Sequence, residues 1–465
     1  MFAPRIAVPA RLLSVPPHLW RRLFLAAVAA VVVASSYLHA IKAEKPSRLG
    51  TQTRSAFLRW REQLQGRPAT HPAGELLGLK QGADIYRLYN FPTPPITALI
   101  LYPFTELPPV VGALAWFYFK VLLAGLSLLW VFRIVEDAGR PLPEWAKAVV
   151  ILLSLHPILG DLSHGNVNLM VGFLVFAGLE CFRRRLDVAA GLVIGLAVAC
   201  KVTPAILLPY FVWKRAWRAA VATGVGVLLW TFVVPGAVLG FERNVTFLHG
   251  WFDGMVRPFL LDGKVTPEHA NQSIPGLVNR LLTNQPSDFA WDEADQPFGT
   301  EYHNVADLSP AEAKWVVRGF QAAFALAVVL LCRAPVHRPT DARQGVRLAA
   351  ELSLMVLGML LFSERTWKHH AVTLMLPFAV MLAFLTTGGA SEGRKRFVGG
   401  VLMVVGGLAF VPSFLSEHWQ DEAMAYGSHT AVFVLLAVAA CLVMGTGRAA
   451  GRQPAVRLAP PAAAG

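Results

Sequence analysis

The feature that most constrains this chain is the recurrence of apolar segments long enough to cross a lipid bilayer. About 20 apolar residues span the hydrocarbon core, and about twelve segments approach that length. The chain is 55% hydrophobic and only 15% charged, whereas soluble domains are about one quarter charged. These observations predict an all-α polytopic membrane protein in which one helical bundle takes up most of the length. The spans are predicted to begin near Leu23, Val110, Ala146, Val167, Val188, Thr203, Ala219, Val316, Leu348, Ala371, Phe397 and Thr430.

Basic residues gather in the short loops between the predicted spans, which indicates how the chain is oriented. In a soluble protein, a net charge of +13 would suggest a nucleic-acid partner. Here the positive-inside rule accounts for the excess, because short loops rich in Lys and Arg stay in the cytoplasm. No nucleic-acid partner is therefore expected. The basic clusters lie at residues 21–22, 133–140, 183–185, 214–218, 333–347, 394–396 and 448–457.

The predicted topology divides the chain into three parts. Residues 1–22 form a cytoplasmic N-terminus, and residues 23–447 form the transmembrane domain. Residues 448–465 form an Ala- and Pro-rich cytoplasmic tail that is predicted to be disordered. The transmembrane domain carries two long loops on its outer face, at about 42–95 and about 241–313.

The first outer loop contains a predicted amphipathic helix. Phe57, Trp60 and Leu64 recur at helical spacing among charged residues. This pattern is typical of a short helix that lies on a membrane surface.

A very short polar turn joins two predicted spans on the outer face. Its sequence, DLSHGNVN, places Asp161, His164, Asn166 and Asn168 close to hydrocarbon. Polar groups at that depth need partners. One interpretation is that they cap the ends of the two helices. The other is that they line a substrate site, with Asp161 as a catalytic carboxylate.

Lys201 stands at the end of an apolar span, in the sequence ACKVTP, and is predicted to lie on the same membrane face as this turn. An ammonium group at the interface can bind a lipid-borne phosphate at headgroup depth. The alternative is a lysine that simply extends past the apolar span to reach water.

The sequence SERTWKHH forms another predicted turn on that face and contains Glu364, Trp367, His369 and His370. Imidazole, with a usual pKa of about 6.5, can move protons or bind an anion when it is charged. The two histidines are therefore candidate catalytic residues, and the glutamate and tryptophan are candidate substrate contacts. The alternative is a polar turn that faces water. No metal site is assigned, because the histidine pair lacks a clear third ligand.

Two further outer segments carry candidate residues. Asp84 precedes a Pro-rich stretch and is a candidate catalytic carboxylate, although it also fits an ordinary helix cap. Asn271, Gln272 and Ser273, with Arg280 shortly after them, are candidate contacts to sugar hydroxyls. The NQS sequence also fits the N-glycosylation pattern, which is common by chance.

Taken in order, these segments resemble glycosyltransferase family 87, a group of GT-C-type enzymes that use polyprenol-phosphate sugars. The resemblance covers roughly residues 23–377. Its pieces are IY at 85–86, FPTPP at 91–95, GNVN at 165–168, AG at 190–191, KVTP at 201–204, NQS at 271–273 and WKHH at 367–370.

The resemblance implies an inverting transfer of a sugar, most commonly mannose, from a polyprenyl phosphate at the outer membrane face. The family usually places an acidic base early in the first outer loop. Here that stretch, residues 50–57, contains no carboxylate, and Asn166 stands where the family commonly has Gln. Asp84 and Asp161 are the remaining candidates for the base, with Glu62 behind them.

The resulting prediction is a hexosyltransferase of the cell (inner) membrane whose active site faces the periplasm or an equivalent space. Asp84 or Asp161 would act as the base, and Lys201 with His369 or His370 would bind the phosphate. The other candidates would hold sugars, and a lipid or glycan would be the acceptor. No cofactor is indicated, and a requirement for a divalent metal stays open. The alternatives are a transporter or flippase of lipid-linked glycans, which would bury charges near mid-membrane, and a catalytically degenerate relative.

Overall fold

A computed structural model of the protein describes residues 17–44, 55–67, 75–136, 141–291, 297–336, 338, 343–387 and 390–445. The predicted disordered tail, residues 448–465, and the first 16 residues lie outside these ranges. Within them the chain is almost entirely helical, with one two-stranded antiparallel sheet formed by β1 (Asp288–Trp291) and β2 (Pro297–Glu301).

The helices of the described residues follow one another along the whole chain. The first ten are α1 (Pro17–Glu44), α2 (Ala56–Gln65), α3 (Ile85–Tyr89), α4 (Pro95–Glu106), α5 (Pro109–Val135), α6 (Glu144–His164), α7 (Asn168–Arg183), α8 (Asp187–Cys200), α9 (Leu207–Trp213) and α10 (Trp217–Leu228). They are followed by α11 (Val234–Leu239), α12 (Phe241–Trp251), α13 (Arg257–Leu260), α14 (Ile274–Leu282), α15 (Pro310–Leu331), α16 (Val346–Leu361), α17 (Met375–Thr386), α18 (Glu392–Phe410), α19 (Glu417–Ala425) and α20 (Ser428–Met444). Short 3-10 segments occupy Leu79–Gln81, Thr203–Ile206, Lys368–Leu374 and Val411–Phe414, and π-helical segments occupy Leu229–Val233 and Phe252–Val256.

The predicted class, an all-α membrane-spanning protein, is confirmed, but the count of about twelve spans is not. In the described part of the chain, six helical stretches are long and apolar enough to cross a membrane, or seven if the bent pair α19–α20 is one span. The six are Leu19–Ala43, Pro109–Val135, Glu144–His164, Trp217–Leu239, Pro310–Leu331 and Lys368–Thr386.

Several predicted spans are too short for a full crossing because their helices end early. Helices α7 and α16 have 16 residues each and α8 has 14, whereas about 20 are needed. Burial separates central from peripheral spans. The most apolar window of Lys368–Thr386 is 83% buried in protein, and that of Pro310–Leu331 only 6%. The first is therefore central, and the second presents its surface to lipid.

Small residues let α8 pack closely against α10. A Cβ added to Gly195 would stand 2.7 Å from the Cα of Gly226, and one added to Gly191 would stand 2.6 Å from the carbonyl oxygen of Ala219. Small residues are the usual device by which membrane helices bring their backbones together. This contact matters for the site, because α8 ends at Cys200, immediately before Lys201.

We expect Gly195→Ala to destabilise the protein by about 1–3 kcal/mol, because the new methyl group would force two helix backbones apart. The matched control is Gly224→Ala on α10, where an added Cβ would meet nothing within 4 Å. Thermal unfolding of both variants in detergent checks this. Equal melting temperatures for the two would contradict the close-packing argument.

The amphipathic helix in the first outer loop forms as α2, but its apolar face does not lie on the membrane. Phe57 and Leu64 are fully buried and Trp60 is 2% exposed. Phe57 stacks near Trp116 of α5, with ring centroids 6.3 Å apart. The helix therefore packs onto the bundle. The spacing of apolar residues predicts that the helix has an apolar face, but it does not predict which surface that face contacts.

Candidate active site

The turn between α6 and α7 depends on a glycine in a left-handed conformation. Gly165 ends α6 with a φ of +68°, and a Cβ at this position would lie 2.9 Å from the Cβ of Phe57. The indole Nε1 of Trp116 donates a hydrogen bond to its carbonyl oxygen, at 2.9 Å. Neighbouring helices thus fix the turn and hold Asp161, on the last turn of α6, close to Asn168, at the start of α7.

Asp161 is fully buried in a network of contacts that occupies both of its carboxylate oxygens. Its Oδ2 lies 3.2 Å from the Nζ of Lys120, also fully buried, and accepts from the Leu169 amide at 3.4 Å. Its Oδ1 accepts from the Asn168 side-chain amide at 3.0 Å. The Lys120 ammonium also donates to the Asp161 carbonyl oxygen at 2.7 Å. Asp161 is thus placed to balance the buried charge of Lys120 and to orient Asn168.

Lys120 was missed by the sequence reasoning, although a signal for it exists. It is a single lysine within the apolar helix α5. An ionisable residue inside a membrane helix calls for a partner or a role. The sequence cannot reveal that its partner is Asp161 of α6.

Lys201 is joined to Asp161 through one asparagine. Its Nζ donates to the Oδ1 of Asn168 at 2.7 Å, while the amide nitrogen of the same asparagine donates to Asp161. The lysine lies in the extended connection after α8. Burial lowers the pKa of Lys201 to about 8, an effect that Asp161 and Glu364 partly offset.

The histidines of the WKHH sequence meet the α6–α7 turn. His369 contacts the Asn166 amide, with 3.2 Å between Nε2 and Nδ2, and its ring stacks on that of His164 at a centroid distance of 4.5 Å. The Trp367 ring stacks near that of His370 at 6.2 Å. The 3-10 segment Lys368–Leu374 carries both histidines, so two stretches about 200 residues apart in sequence meet here.

Lys201 and His370 line a common pocket. Seven of its twelve lining residues are polar, and the other five are apolar or glycine. The lining residues are Asn168, Val171, Gly172, Lys201, Thr203, Met359, Leu360, Ser363, Thr366, His370, Val372 and Thr373.

Asn271, Gln272, Ser273 and Arg280, predicted as sugar contacts, use their side chains to hold the protein backbone together. The Gln272 amide nitrogen donates to the carbonyl oxygens of His269 and Met424, while its Oε1 accepts from the His429 amide. Ser273 caps α14. The buried Arg280 guanidinium donates to five backbone carbonyl oxygens, those of Pro267, Glu268, Asn271, Met424 and Ala425.

Asn271 fixes the turn that precedes the histidines. Its Nδ2 donates to the Glu364 carbonyl oxygen at 2.9 Å, and its Oδ1 accepts from the Thr366 amide at 3.0 Å. The Thr366 carbonyl oxygen in turn accepts from the backbone amide of Gln272 at 2.7 Å. Through these hydrogen bonds the NQS segment supports the turn at residues 364–366.

Two buried polar atoms of this turn have no hydrogen-bond partner among the described residues. They are the Oε2 of Glu364 and the indole Nε1 of Trp367, an acceptor and a donor three residues apart. Burial raises the pKa of Glu364 to about 7, and the positive charges of Arg365 and Lys201 partly offset the rise. The turn can therefore accept and donate hydrogen bonds to a polar ligand.

Two other candidate carboxylates lie outside this cluster. Asp84 caps α3, accepting from the amides of Tyr86 and Arg87 at 3.1 and 3.2 Å. Glu62 forms an ion pair with Arg67 at 3.1 Å. Neither lines the pocket. The acid-free stretch at 50–57 lies partly outside the described residues.

One group of side chains in the described ranges has the spacing to hold a metal ion. Glu301, His303 and Glu422 bring their ligand atoms within 4.8 Å of one another. None of the three lines the pocket. The histidine pair at 369–370 is not part of that group.

Comparison with known sequences and structures adds the family. The sequence model of glycosyltransferase family 87 matches residues 91–364. A polyprenol-phosphate-mannose-dependent alpha-(1-2)-phosphatidylinositol mannoside mannosyltransferase of Mycolicibacterium smegmatis is 26% identical over 379 residues, which cover 78% of this chain and 76% of that protein. The enzyme of the same description from Mycobacterium tuberculosis is 30% identical over 172 residues, covering 34% and 39%.

Among solved structures, ArnT from Cupriavidus metallidurans in the apo state aligns with 92% of this chain and 78% of its own, at 12% identity and a TM-score of 0.38. The family match extends over more than half of the sequence and includes Asn168, Lys201 and Glu364. This membrane protein therefore belongs to glycosyltransferase family 87.

Proposed function

We propose that this enzyme transfers a hexose, with mannose as the first candidate, from a polyprenyl-phosphate sugar to a lipid or glycan acceptor, with inversion at the anomeric carbon. The two mycobacterial relatives are polyprenol-phosphate-mannose-dependent mannosyltransferases. The observation that carries the proposal is Lys201, a buried ammonium on the wall of a pocket that His370 also lines.

The geometry around Lys201 suits a departing phosphate. An ammonium has three N–H donors, and Asn168 takes one of them at 2.7 Å. The remaining two can be directed at phosphate oxygens. Because the site is shielded from bulk water, a fixed positive charge stabilises the negative charge that develops on the leaving group more strongly than it would in solution.

The direction in which the site opens is part of the proposal, and the distribution of charge supports it. Helix α7 begins at Asn168 beside the pocket and ends at Arg183, so the basic cluster at 183–185 lies at the other end of the same helix. Under the positive-inside rule, the basic end is cytoplasmic. The pocket would then open towards the periplasm or an equivalent space across the inner membrane.

A transfer assay with the purified full-length protein in lipid nanodiscs tests this function. We expect release of polyprenyl phosphate when the protein is incubated with polyprenyl-phosphate mannose and a lipid acceptor. We expect no turnover with nucleotide-linked mannose, because the pocket would position the phosphate of a lipid. Radiolabelled mannose recovered in the acceptor, separated by chromatography, is the readout.

The same assay separates an enzyme from a carrier of lipid-linked glycans. An enzyme breaks the bond between mannose and phosphate, whereas a carrier returns the donor intact. Recovery of unchanged donor, together with its movement across sealed vesicles, would contradict the proposal.

A further inference from the structure

The proposed transfer requires a base, and the structure distinguishes among the available carboxylates. A general base must reach the proton that it takes and must have an oxygen free to take it. Asp161 fails on the second count: its Oδ1 accepts from Asn168, and its Oδ2 is engaged by Lys120 and by the Leu169 amide. It is also fully buried, so protonating it would break the ion pair with Lys120.

Asp84 and Glu62 fail for a different reason. Asp84 is engaged by two backbone amides at the start of α3 and lies 3.6 Å from Arg87. Glu62 is paired with Arg67. The oxygens of both carboxylates are thus engaged away from the pocket, in local structural roles.

Glu364 meets the second requirement, and its position beside the pocket supports the first. Its Oε2 is buried and has no hydrogen-bond partner within the described part of the chain. Ser363, directly before it, and Thr366, two residues after it, line the pocket. Asn271 clamps the backbone of this turn at Glu364 and Thr366, so the carboxylate stands on a rigid support.

Glu364 also lies close enough to Lys201 for the two charges to interact. A base and a phosphate-binding cation must flank the same anomeric carbon, because inversion brings the acceptor in opposite the leaving group. The free indole N–H of Trp367 in the same turn can donate to the acceptor oxygen while the carboxylate takes its proton.

We infer that Glu364 is the general base of this enzyme, acting on an acceptor hydroxyl that Trp367 helps to position. This inference rests on the proposed function. The acceptor O–H bond breaks and its proton passes to the Glu364 carboxylate. The oxygen electron pair forms the new bond to the anomeric carbon. The bond from that carbon to the phosphate oxygen breaks, and its electron pair leaves on polyprenyl phosphate beside Lys201. Glu364 then releases the proton to water.

The test is Glu364→Gln in the full-length protein, which keeps the shape of the side chain and removes its basicity. We expect turnover to fall about 10²–10⁴-fold, the usual contribution of a general base. Donor binding, measured by tryptophan fluorescence with polyprenyl-phosphate mannose, should change less than about threefold. Because Oε2 has no protein partner to lose, the variant should fold, and an unchanged melting temperature checks this. Glu364→Asp should recover part of the turnover.

The pH dependence of kcat/KM distinguishes a general base from a residue with a structural role, because losing a structural contact would not change the shape of the profile. The groups that face Glu364 are Arg365 and Lys201. Those that face Lys201 are Asp161, Glu364, His369 and His370. The base must be ionised, so kcat/KM should rise with pH up to about 7, where Glu364 loses its proton. It should fall again above about 8, where Lys201 loses its charge. In Glu364→Gln the acidic limb should disappear and the alkaline limb should remain.

The matched control is Glu242→Gln, which changes an exposed glutamate on α12 and should leave both limbs intact. If the wild-type protein releases no polyprenyl phosphate, the proposed function itself fails. If the wild type turns over and Glu364→Gln keeps its rate and its acidic limb, the assignment of the base is overturned. Loss of donor binding in Glu364→Gln would also overturn it, because the residue would then act in binding.

Discussion

Replacing Lys201 with methionine should lower kcat/KM for transfer from polyprenyl-phosphate mannose by about 10²–10³-fold, which is typical for loss of one charged donor at a site of developing charge. Methionine has nearly the length of lysine and fills the same space without the ammonium. The leaving phosphate would lose its nearest cation, and Asn168 would lose the donor that now lies 2.7 Å from its Oδ1. We expect the larger part of the loss in kcat, since the negative charge grows as the bond breaks.

The matched control is Lys264→Met, which removes an exposed lysine between α13 and α14 and should change kcat/KM less than about twofold. Lys201→Arg keeps the charge but presents it on a planar, wider group, so partial activity is expected. Steady-state rates across donor concentrations, with the alkaline limb recorded for each variant, provide the measurement. A Lys201→Met enzyme that retained more than a third of wild-type kcat would remove Lys201 from the proposed phosphate site.

The all-α membrane-spanning class could be predicted because hydrophobicity is apparent directly in the sequence. The basic clusters also predict that one face is cytoplasmic and that the remaining polar turns share the other. The structure brings together residues from those turns, with Lys201 on Asn168 and Asn166 on His369. No single segment could show this. Only the alternation of sides along the chain indicates that such distant residues meet.

The role of each polar residue could not be predicted in the same way, because residue type does not specify a partner. Asn271 and Gln272 have the chemistry to bind sugar hydroxyls, but their amides bind backbone groups of neighbouring segments. Asp84 has the chemistry of a base, but it stands one residue before a helix, where a carboxylate is the usual cap. In each case the deciding fact is a three-dimensional neighbour.

The number of spans was overestimated for a related reason. Apolar composition does not distinguish a helix that crosses lipid from one that is short and buried between other helices. Helix α16 is mostly apolar and almost entirely buried, yet it has only 16 residues. The sequence shows the apolar run, whereas the packing of its neighbours decides how long the helix must be.

The buried pair of Lys120 and Asp161 leads to the second large effect, this time on stability. We expect Asp161→Asn to destabilise the protein by about 3–5 kcal/mol, because the Lys120 ammonium would remain buried without its counter-charge. Lys120→Met should destabilise by a similar amount for the converse reason. The double variant, with neither charge, should recover most of the lost stability, because no uncompensated ion remains inside. Denaturant unfolding of the four proteins in one detergent gives the coupling energy directly.

The double variant also tests what Asp161 does for the reaction. An asparagine at 161 can still accept from the Asn168 amide through its Oδ1, so Asn168 should keep its orientation towards Lys201. We therefore expect Lys120→Met/Asp161→Asn to transfer sugar at a rate within about tenfold of the wild type, which a protein lacking its general base could not do. A double variant that is stable and well folded but inactive would indicate that Asp161 is the general base. Removing both charges should relieve the cost of burying an unpaired ion. A double variant as unstable as the single variants would therefore show that the Lys120–Asp161 pair contributes more to stability than mutual neutralisation.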